Sequence, residues 1–189
     1  MTYEKWMVYA TIWLALVTTA LALFTYKLWS DTRRLVIGAE NTAKRQLRAY
    51  MSLLQPKIGG VFDESPLRVE LFARNTGQTP AYNFGWVSGI TMKDMPFDEE
   101  LRVSMDNPQI NDITVGPSTD IGHTAPSPGN IRILTPEERR DIRAGKKAIF
   151  IYGEMKYTDT FQQPHTTRYQ MIVGKDGRIF AHHKGNYSD

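Results

Sequence analysis

Hydrophobic residues open the chain in one continuous stretch. The 21 residues from Trp6 to Tyr26 include no Asp, Glu, Lys or Arg. A helix of that length is about 31 Å long, which matches the hydrocarbon core of a bilayer. Aromatic side chains that favour the headgroup level stand at both ends, at Trp6, Tyr9, Tyr26 and Trp29. We therefore predict that residues 1-29 form a single transmembrane anchor.

A cleaved signal peptide is the alternative interpretation of this stretch. Lys5 precedes it, and Ala20-Leu21-Ala22 has the small-x-small form of a cleavage site. However, apolar residues continue through Leu28, whereas the apolar core of a signal peptide normally has about 7 to 15 residues. A retained anchor accounts for more of the sequence.

The next segment, residues 30-50, has the spacing of a helix that is apolar along one face only, with Ser30 or Asp31 as its N-cap. Its apolar positions recur every three or four residues, at Val36, Ala39, Ala43, Leu47 and Tyr50. We predict a juxtamembrane helix whose stripe packs on the following domain, lies on the bilayer or self-associates. A coiled coil is the least favoured of these, because fewer than about three heptads are present and Gly38 and Glu40 interrupt them.

Beyond residue 50 the apolar period changes to two, which is typical of half-buried strands. Residues 75-80 carry the turn residues of a hairpin or of a crossover. Prolines break Met92 to Asn130 into a long loop region with short pieces. The predicted strands are 49-58, 67-74, 82-90, 101-105, 113-115, 148-157, 166-173 and 178-182.

One short helix is predicted between Thr135 and Gly145, before the final strands. Thr135 and Glu138 form a capping box, Pro136 occupies the first helical position, and Gly145 ends the helix. Together these elements predict a mainly β domain at residues 51-189, which we interpret as an immunoglobulin-like antiparallel β-sandwich with one helix.

Positive charge is concentrated next to the anchor. Residues 27-50 hold six basic and two acidic side chains, whereas residues 51-189 hold 16 basic and 17 acidic ones. A nearly neutral domain argues against nucleic acid as a partner. The basic cluster predicts anionic headgroups as the partner, at about 1 kcal/mol per residue, through Arg33, Arg34, Lys44, Arg45 and Arg48. Basic residues beside a span stay in the cytoplasm, so we expect a single-pass protein of the plasma (inner) membrane with its C-terminal domain cytoplasmic.

Four short motifs resemble a group of bacterial proteins that have no assigned activity. These motifs are KRQLRAY at 44-50, NTGQTPA at 75-81, GEMKYTD at 153-159 and HTTRY at 165-169. In that group an N-terminal membrane anchor precedes a small β domain. The resemblance implies this architecture and brings no catalytic residues.

One constellation of side chains in the last third could carry chemistry, namely Tyr157, Asp159, His165, Arg168, His182 and His183. A hairpin of the strands at 148-157 and 166-173 would place Asp159 and His165 in its loop, near a histidine of the final strand. Asp159 and His165 with His182 or His183 could hold a metal for a hydrolase. Alternatively, Asp159 accepts backbone N–H groups of the turn or pairs with Arg168, and this structural role is the one we expect.

Other candidates have simpler interpretations. The chain has no cysteine, which excludes disulfides, a thiol nucleophile and Cys-based zinc sites. His123 is expected to be an exposed loop residue, Tyr82 and Trp86 core residues, and Gly85 and Gly89 marks of a bulge or of close packing.

The function expected from the sequence is therefore a membrane-tethered interaction module for an unidentified protein partner. We expect no enzymatic activity, no cofactor and no metal. The alternative is the metal-dependent hydrolase that uses Asp159 and His165. The sequence lacks a glycine-rich phosphate loop before a helix and a G-x-S-x-G elbow, so it indicates no other catalytic class.

Overall fold

The computed structural model describes residues 3–106, 108–125 and 133–189. The chain divides into two compact units, Met1–Arg45 and Gln46–Asp189. The first unit is helical, and the second contains the strands and one further helix.

One unbroken helix, α1 (Tyr3–Leu47), takes the place of the two helices expected from the sequence. Its 45 residues span about 68 Å. Ser30 and Asp31 do not cap a new helix, because a helix already in progress supplies the carbonyl partners that a first turn lacks. Among the described residues, α1 contains the one stretch that is long and apolar enough to cross a membrane.

The described residues of the second unit form ten strands and one helix. They are β1 (Met51–Leu53), β2 (Lys57–Gly59), β3 (Arg68–Asn75), β4 (Ala81–Asp94), β5 (Ile110–Val115), β6 (Asp120–Ala125), α2 (Pro136–Arg143), β7 (Lys147–Thr158), β8 (Pro164–Val173), β9 (Ile179–Ala181) and β10 (Tyr187–Ser188).

The strands form two antiparallel sheets. In the first, β1 and β2 pair with one edge of β3 and β6 pairs with the other. In the second, the order is β10-β8-β7-β4-β5, and β9 also pairs with β8. The turn at residues 75-80 joins β3 to β4, so it is a crossover between the sheets and not a hairpin.

The two sheets share one hydrophobic core. Alternate residues of β3 are buried, and they belong to the same cluster as Phe84 and Trp86 of β4 and Ile149 and Ile151 of β7. The mainly β prediction is therefore confirmed, with two sheets around a common core. Helix α2 adds Ile142 to that core.

The predicted start and end of α2 are confirmed. The Thr135 side chain accepts from the Glu138 N–H at 3.2 Å, and the Glu138 carboxylate accepts from the Thr135 N–H at 2.9 Å. Gly145 follows with φ of 72°, the left-handed conformation that glycine adopts without strain.

In the long central region one predicted strand is wrong and one observed strand was not predicted. Residues 101-105 form no strand, because their backbone lies against the second sheet and Leu101 N–H bonds to a side chain, that of Gln170. Strand β6 was missed because Gly122 and His123 interrupt its apolar alternation. The predicted strand at 49-58 is divided into β1 and β2 by the residues around Pro56.

Strand β4 contains the irregularity that its glycines indicated. Its pairing with β7 shifts between Tyr82 and Gly85, and Asn83 has φ of 49°. A Cβ on Gly89 would lie 2.7 Å from the Tyr152 ring, so close packing explains that glycine. Trp86 is fully buried as expected, but Tyr82 is 36% exposed because the bulge turns it out of the core.

Candidate functional site

The β7–β8 turn brings Asp159 and His165 together. Asp159 is 2% and His165 7% exposed, and Asp159 Oδ2 lies 2.9 Å from His165 Nε2. The other oxygen, Oδ1, accepts from the backbone N–H groups of Phe161 at 2.8 Å and Gln163 at 3.0 Å. The sequence predicted the turn contacts and the approach of His165.

The carboxyl of Asp159 is held in its ionised form. Burial by itself raises the pKa of Asp159, but the hydrogen bonds from Gln163, His165 and Phe161 outweigh burial and leave the pKa below its ordinary value. At neutral pH the Asp159 carboxylate therefore accepts hydrogen bonds and donates none.

A second carboxylate lies on the opposite side of the imidazole. His165 Nδ1 is 3.3 Å from Asp189 Oδ1, which also accepts from the Thr166 N–H at 3.0 Å. The imidazole of His165 therefore lies between two carboxyl groups, those of Asp159 and Asp189.

Tyr157 and Arg48 extend this cluster to the segment that follows α1. The Tyr157 hydroxyl donates to Ala49 O at 3.3 Å and accepts from Met51 N–H at 3.4 Å. Burial raises the pKa of Tyr157, so it keeps its proton. Arg48 Nη2 donates to the backbone oxygen of Asp189 at 2.8 Å. The cluster thus ties three distant parts of the chain together.

Arg168 does not pair with Asp159, so that expectation is wrong. Its Nε donates to Glu154 Oε2 at 2.6 Å, on the opposite face of the sheet from His165. The two residues are opposite each other in the β7–β8 register, and cross-strand neighbours of opposite charge are favourable.

The two C-terminal histidines lie away from Asp159. His182 N–H bonds to Gln170 O, and Gln170 is five positions along β8 from His165, about 17 Å. The His183 imidazole pairs with Asp98. Among the described residues, no group of three or more His, Asp or Glu side chains is arranged to hold a metal, so the proposed hydrolase set is not assembled.

His123 is not an exposed loop residue. It lies on β6 with its ring edge-on to Trp86, at a centroid distance of 4.4 Å, and its Nε2 is 3.3 Å from Ser88 Oγ. Trp86 Nε1 donates to the Tyr169 hydroxyl at 2.9 Å. Burial lowers the pKa of His123 and raises that of Tyr169, so both are neutral at pH 7. The contacts of His123 with Trp86 and Ser88 connect the two sheets.

Gln170 is a fully buried residue that the sequence analysis did not single out. Its amide donates to Glu99 O at 3.0 Å and accepts from Leu101 N–H at 2.8 Å, and its Nε2 is 3.1 Å from His182 Nδ1. It fixes residues 99-101 over the outer face of the second sheet. The sequence does contain a signal for this role, because Gln170 is a polar residue within the otherwise apolar end of strand β8.

A groove of about 610 Å³ opens between the two sheets, where the β1–β2 connection faces β8, β9 and β10. Its apolar lining includes Leu53, Leu54, Met171, Ile179, Phe180 and Tyr187. Phe180 and Tyr187 are 50% and 54% exposed, so two aromatic rings of the groove are accessible to solvent.

Leu53 lines this groove, and its peptide group is not bonded to β3. Leu54 N–H bonds to Phe72 O, and Thr76 N–H bonds to Tyr50 O. Because bonding alternates along an antiparallel pair, the peptide groups of Met51 and Leu53 face away from β3. The N–H and carbonyl of Met51 contact the Tyr157 and Thr167 hydroxyls. Leu53 lies two residues further along β1, at the groove.

Comparison with protein-family models, with curated proteins and with solved structures finds no significant match.

Proposed function

We propose that this protein is a single-pass membrane protein whose β unit, an immunoglobulin-like sandwich, binds a protein partner beside the plasma membrane. The observation that carries the proposal is α1, a helix long and apolar enough to cross a bilayer whose large apolar side chains, from Trp6 to Trp29, are exposed. Lipid is the solvent that suits such a surface. The proposal assigns no catalytic residue.

The positive-inside rule supports a cytoplasmic β unit. The Trp29 and Tyr26 rings lie 6.2 Å apart, and the Arg33 guanidinium is 5.6 Å from the Trp29 ring. Aromatic rings of this kind prefer the headgroup level. With Trp29 at that level, Arg33 and Arg34 reach the anionic headgroups.

The remaining basic residues are further from the lipid in this arrangement. Lys44 and Arg45 follow Trp29 by about 23 Å along an upright helix, several times the screening length of about 8 Å at physiological salt. Lys44 pairs with Glu40 at 2.7 Å. Arg48 bonds to Asp189 and lies 4.4 Å from the Tyr50 ring. We therefore assign the headgroup contact to Arg33 and Arg34.

The groove between the sheets is the surface that we assign to the partner. Its apolar side chains suit alternate side chains of an extended peptide, and the outward peptide group of Leu53 can pair with the peptide's backbone, as in strand addition. We propose an extended, mainly apolar segment of another protein as the occupant.

Two experiments test the anchor and its orientation. The full-length protein should remain in the membrane through carbonate washing, and release in a shortened form would instead identify a cleaved signal. A reporter active only in the periplasm, fused after Asp189, should be silent. Replacing Arg33 and Arg34 by Gln should raise its activity more than the matched change at Lys44 and Arg45, and a strongly active wild-type fusion contradicts the orientation.

The partner surface is tested by a photoreactive phenylalanine analogue placed at Phe180 or Tyr187 in cells. Mass spectrometry of the crosslinked products should identify one protein segment with alternating apolar residues. The same probe at Tyr82, which is exposed but outside the groove, is the control. Equal crosslinking at all three positions, or lipid adducts alone, would contradict the assignment.

A further inference from the structure

A strict seven-residue repeat runs along α1. Threonine and leucine alternate in it, at Thr11, Leu14, Thr18, Leu21, Thr25, Leu28, Thr32 and Leu35. The repeat begins in the apolar stretch and continues into the charged one. Because α1 continues through Ser30 without a break, all members of the repeat lie along the same side of one helix.

The repeat belongs to a wider uncharged face. With threonine at heptad position a and leucine at d, position e holds Ala15, Ala22, Trp29, Val36 and Ala43. We call the a, d and e positions from Thr11 to Ala43 the heptad face. All seven charged residues from position 27 to position 45 lie on other positions: Lys27, Asp31, Arg33, Arg34, Glu40, Lys44 and Arg45. Lipid contact would explain an uncharged face only within the apolar stretch. It does not explain why the charged residues beyond that stretch also avoid the heptad face.

The period indicates what the heptad face contacts. A residue repeat of seven drifts by about 20° per heptad around a straight helix. Two such helices keep their faces together when they wind around each other with a left-handed supercoil. Here leucine occupies position d and the small, partly apolar threonine position a, and a and d positions sustained over about four heptads with the charges elsewhere are typical of coiled coils.

The threonines fit a close helix contact. The hydroxyls of Thr11, Thr18 and Thr25 donate to backbone oxygens of their own helix at 2.8 to 2.9 Å. Their polar groups are therefore satisfied within lipid, and small side chains allow the backbones to approach. The leucines between them are 60% to 73% exposed, so they are available to a partner.

We propose that α1 forms a parallel homodimer through the heptad face. From Thr11 to Ala43 this face is about 48 Å long, and with a helix width of about 10 Å it offers a footprint of roughly 500 Å² on each copy. The total of roughly 1,000 Å² reaches the size of a specific interface. Chains that enter the membrane in one orientation can only pair in parallel. No charged residue of either copy meets the centre of this interface.

The natural absence of cysteine allows a direct test in the full-length protein. Single cysteines are introduced at Thr32, Leu35 and Ala39 on the heptad face, and at Arg34, Ile37 and Asn41 as matched controls on the opposite side. Oxidation in native membranes should give a disulfide-linked dimer for the first three variants and little or none for the controls. Maxima should recur with a period of 3.5 residues.

A second measurement shows whether the pairing extends into the membrane. Two copies with different tags, expressed together, should co-purify in mild detergent, and Leu21→Ala with Leu28→Ala should reduce recovery severalfold. Leu16→Ala with Leu23→Ala, on the opposite side, is the control. The proposal is overturned by monomers at every cysteine position, by crosslinks of equal yield all round the helix, or by products whose mass shows a different protein.

These outcomes are independent of the proposed function. A chain that resists carbonate and remains monomeric contradicts the dimer alone. A crosslinked dimer that carbonate releases contradicts the membrane anchor alone.

Discussion

Replacing Asp159 by alanine removes the acceptor around which the β7–β8 turn is built. Two backbone donors, Phe161 N–H and Gln163 N–H, lose their partner, and His165 loses one of its two carboxylates. An unpaired, partly buried donor costs about 1 kcal/mol, and a lost charged hydrogen bond about 1.5 kcal/mol. We therefore expect the free energy of unfolding to fall by about 3.5 kcal/mol.

The measurement is urea unfolding of the full-length protein in detergent, followed by the circular dichroism of the sheets. Asp176→Ala is the matched control, because Asp176 also accepts a turn N–H, that of Arg178, but is exposed. Its cost should be below about 0.5 kcal/mol. Asp159→Asn keeps an acceptor oxygen and loses the charge, so it should fall between the two.

The pH dependence of the difference between wild type and Asp159→Ala follows from the direction of the pKa shift. The pKa of Asp159 is lower in the folded protein than its ordinary value of 3.8. Its contribution is therefore complete above pH 3.8 and is lost as the pH falls through the folded pKa. The destabilisation should be constant from about pH 5 to 7 and shrink in acid.

Two results would refute this account of Asp159. One is a change in unfolding free energy no larger than that of Asp176→Ala. The other is a wild-type melting temperature that EDTA lowers, together with an Asp159→Ala variant that EDTA does not affect, because that pattern would show a bound metal.

Three further changes test other contacts by the same unfolding measurement. Gln170→Leu should cost about 2 kcal/mol, since it leaves the part-buried Glu99 carbonyl and Leu101 N–H without their side-chain partner; a neutral result would contradict the role of the amide. Gly153→Ala should cost about 3 kcal/mol or more, because its Cβ would lie 2.5 Å from the Val87 backbone oxygen, whereas Gly59→Ala, with no atom within 4 Å, should be tolerated. Thr135→Ala should cost about 1 kcal/mol through the lost cap of α2, and Thr135→Ser should restore most of it.

Local patterns in the sequence were sufficient for much of the fold. The capping box of α2, the long strands β7 and β8 and the apolar stretch of α1 depend on neighbours in sequence, and all three are in the structure. The prediction that a new helix begins at Ser30 is wrong, because the passage of a helix from lipid into water does not by itself end it. Nothing in residues 30 and 31 removes a backbone hydrogen bond.

The candidate site was predictable only where its members are close in sequence. Asp159 and His165 flank one turn, and their contact was expected. Asp189 and Arg48 reach His165 or each other across at least 24 residues, and no local spacing indicates that. Arg168 was expected to pair with Asp159, but strand register places Glu154 opposite it. Register is set by the whole sheet, so the pairing of charges could not be read from the loop.

The pairing of β4 with β7 has a consequence for how quickly the chain folds. Val87 is opposite Glu154, 67 residues later, and this is the central pair of strands in the larger sheet. The entropy of closing so long a loop must be lost before most of the core can form, and domains dominated by such distant pairings fold in milliseconds to seconds. During that interval the apolar residues of β4 have no strand beside them except β5. A newly made chain is therefore most open to aggregation before residue 147 is available, and assistance from chaperones is most useful at that stage.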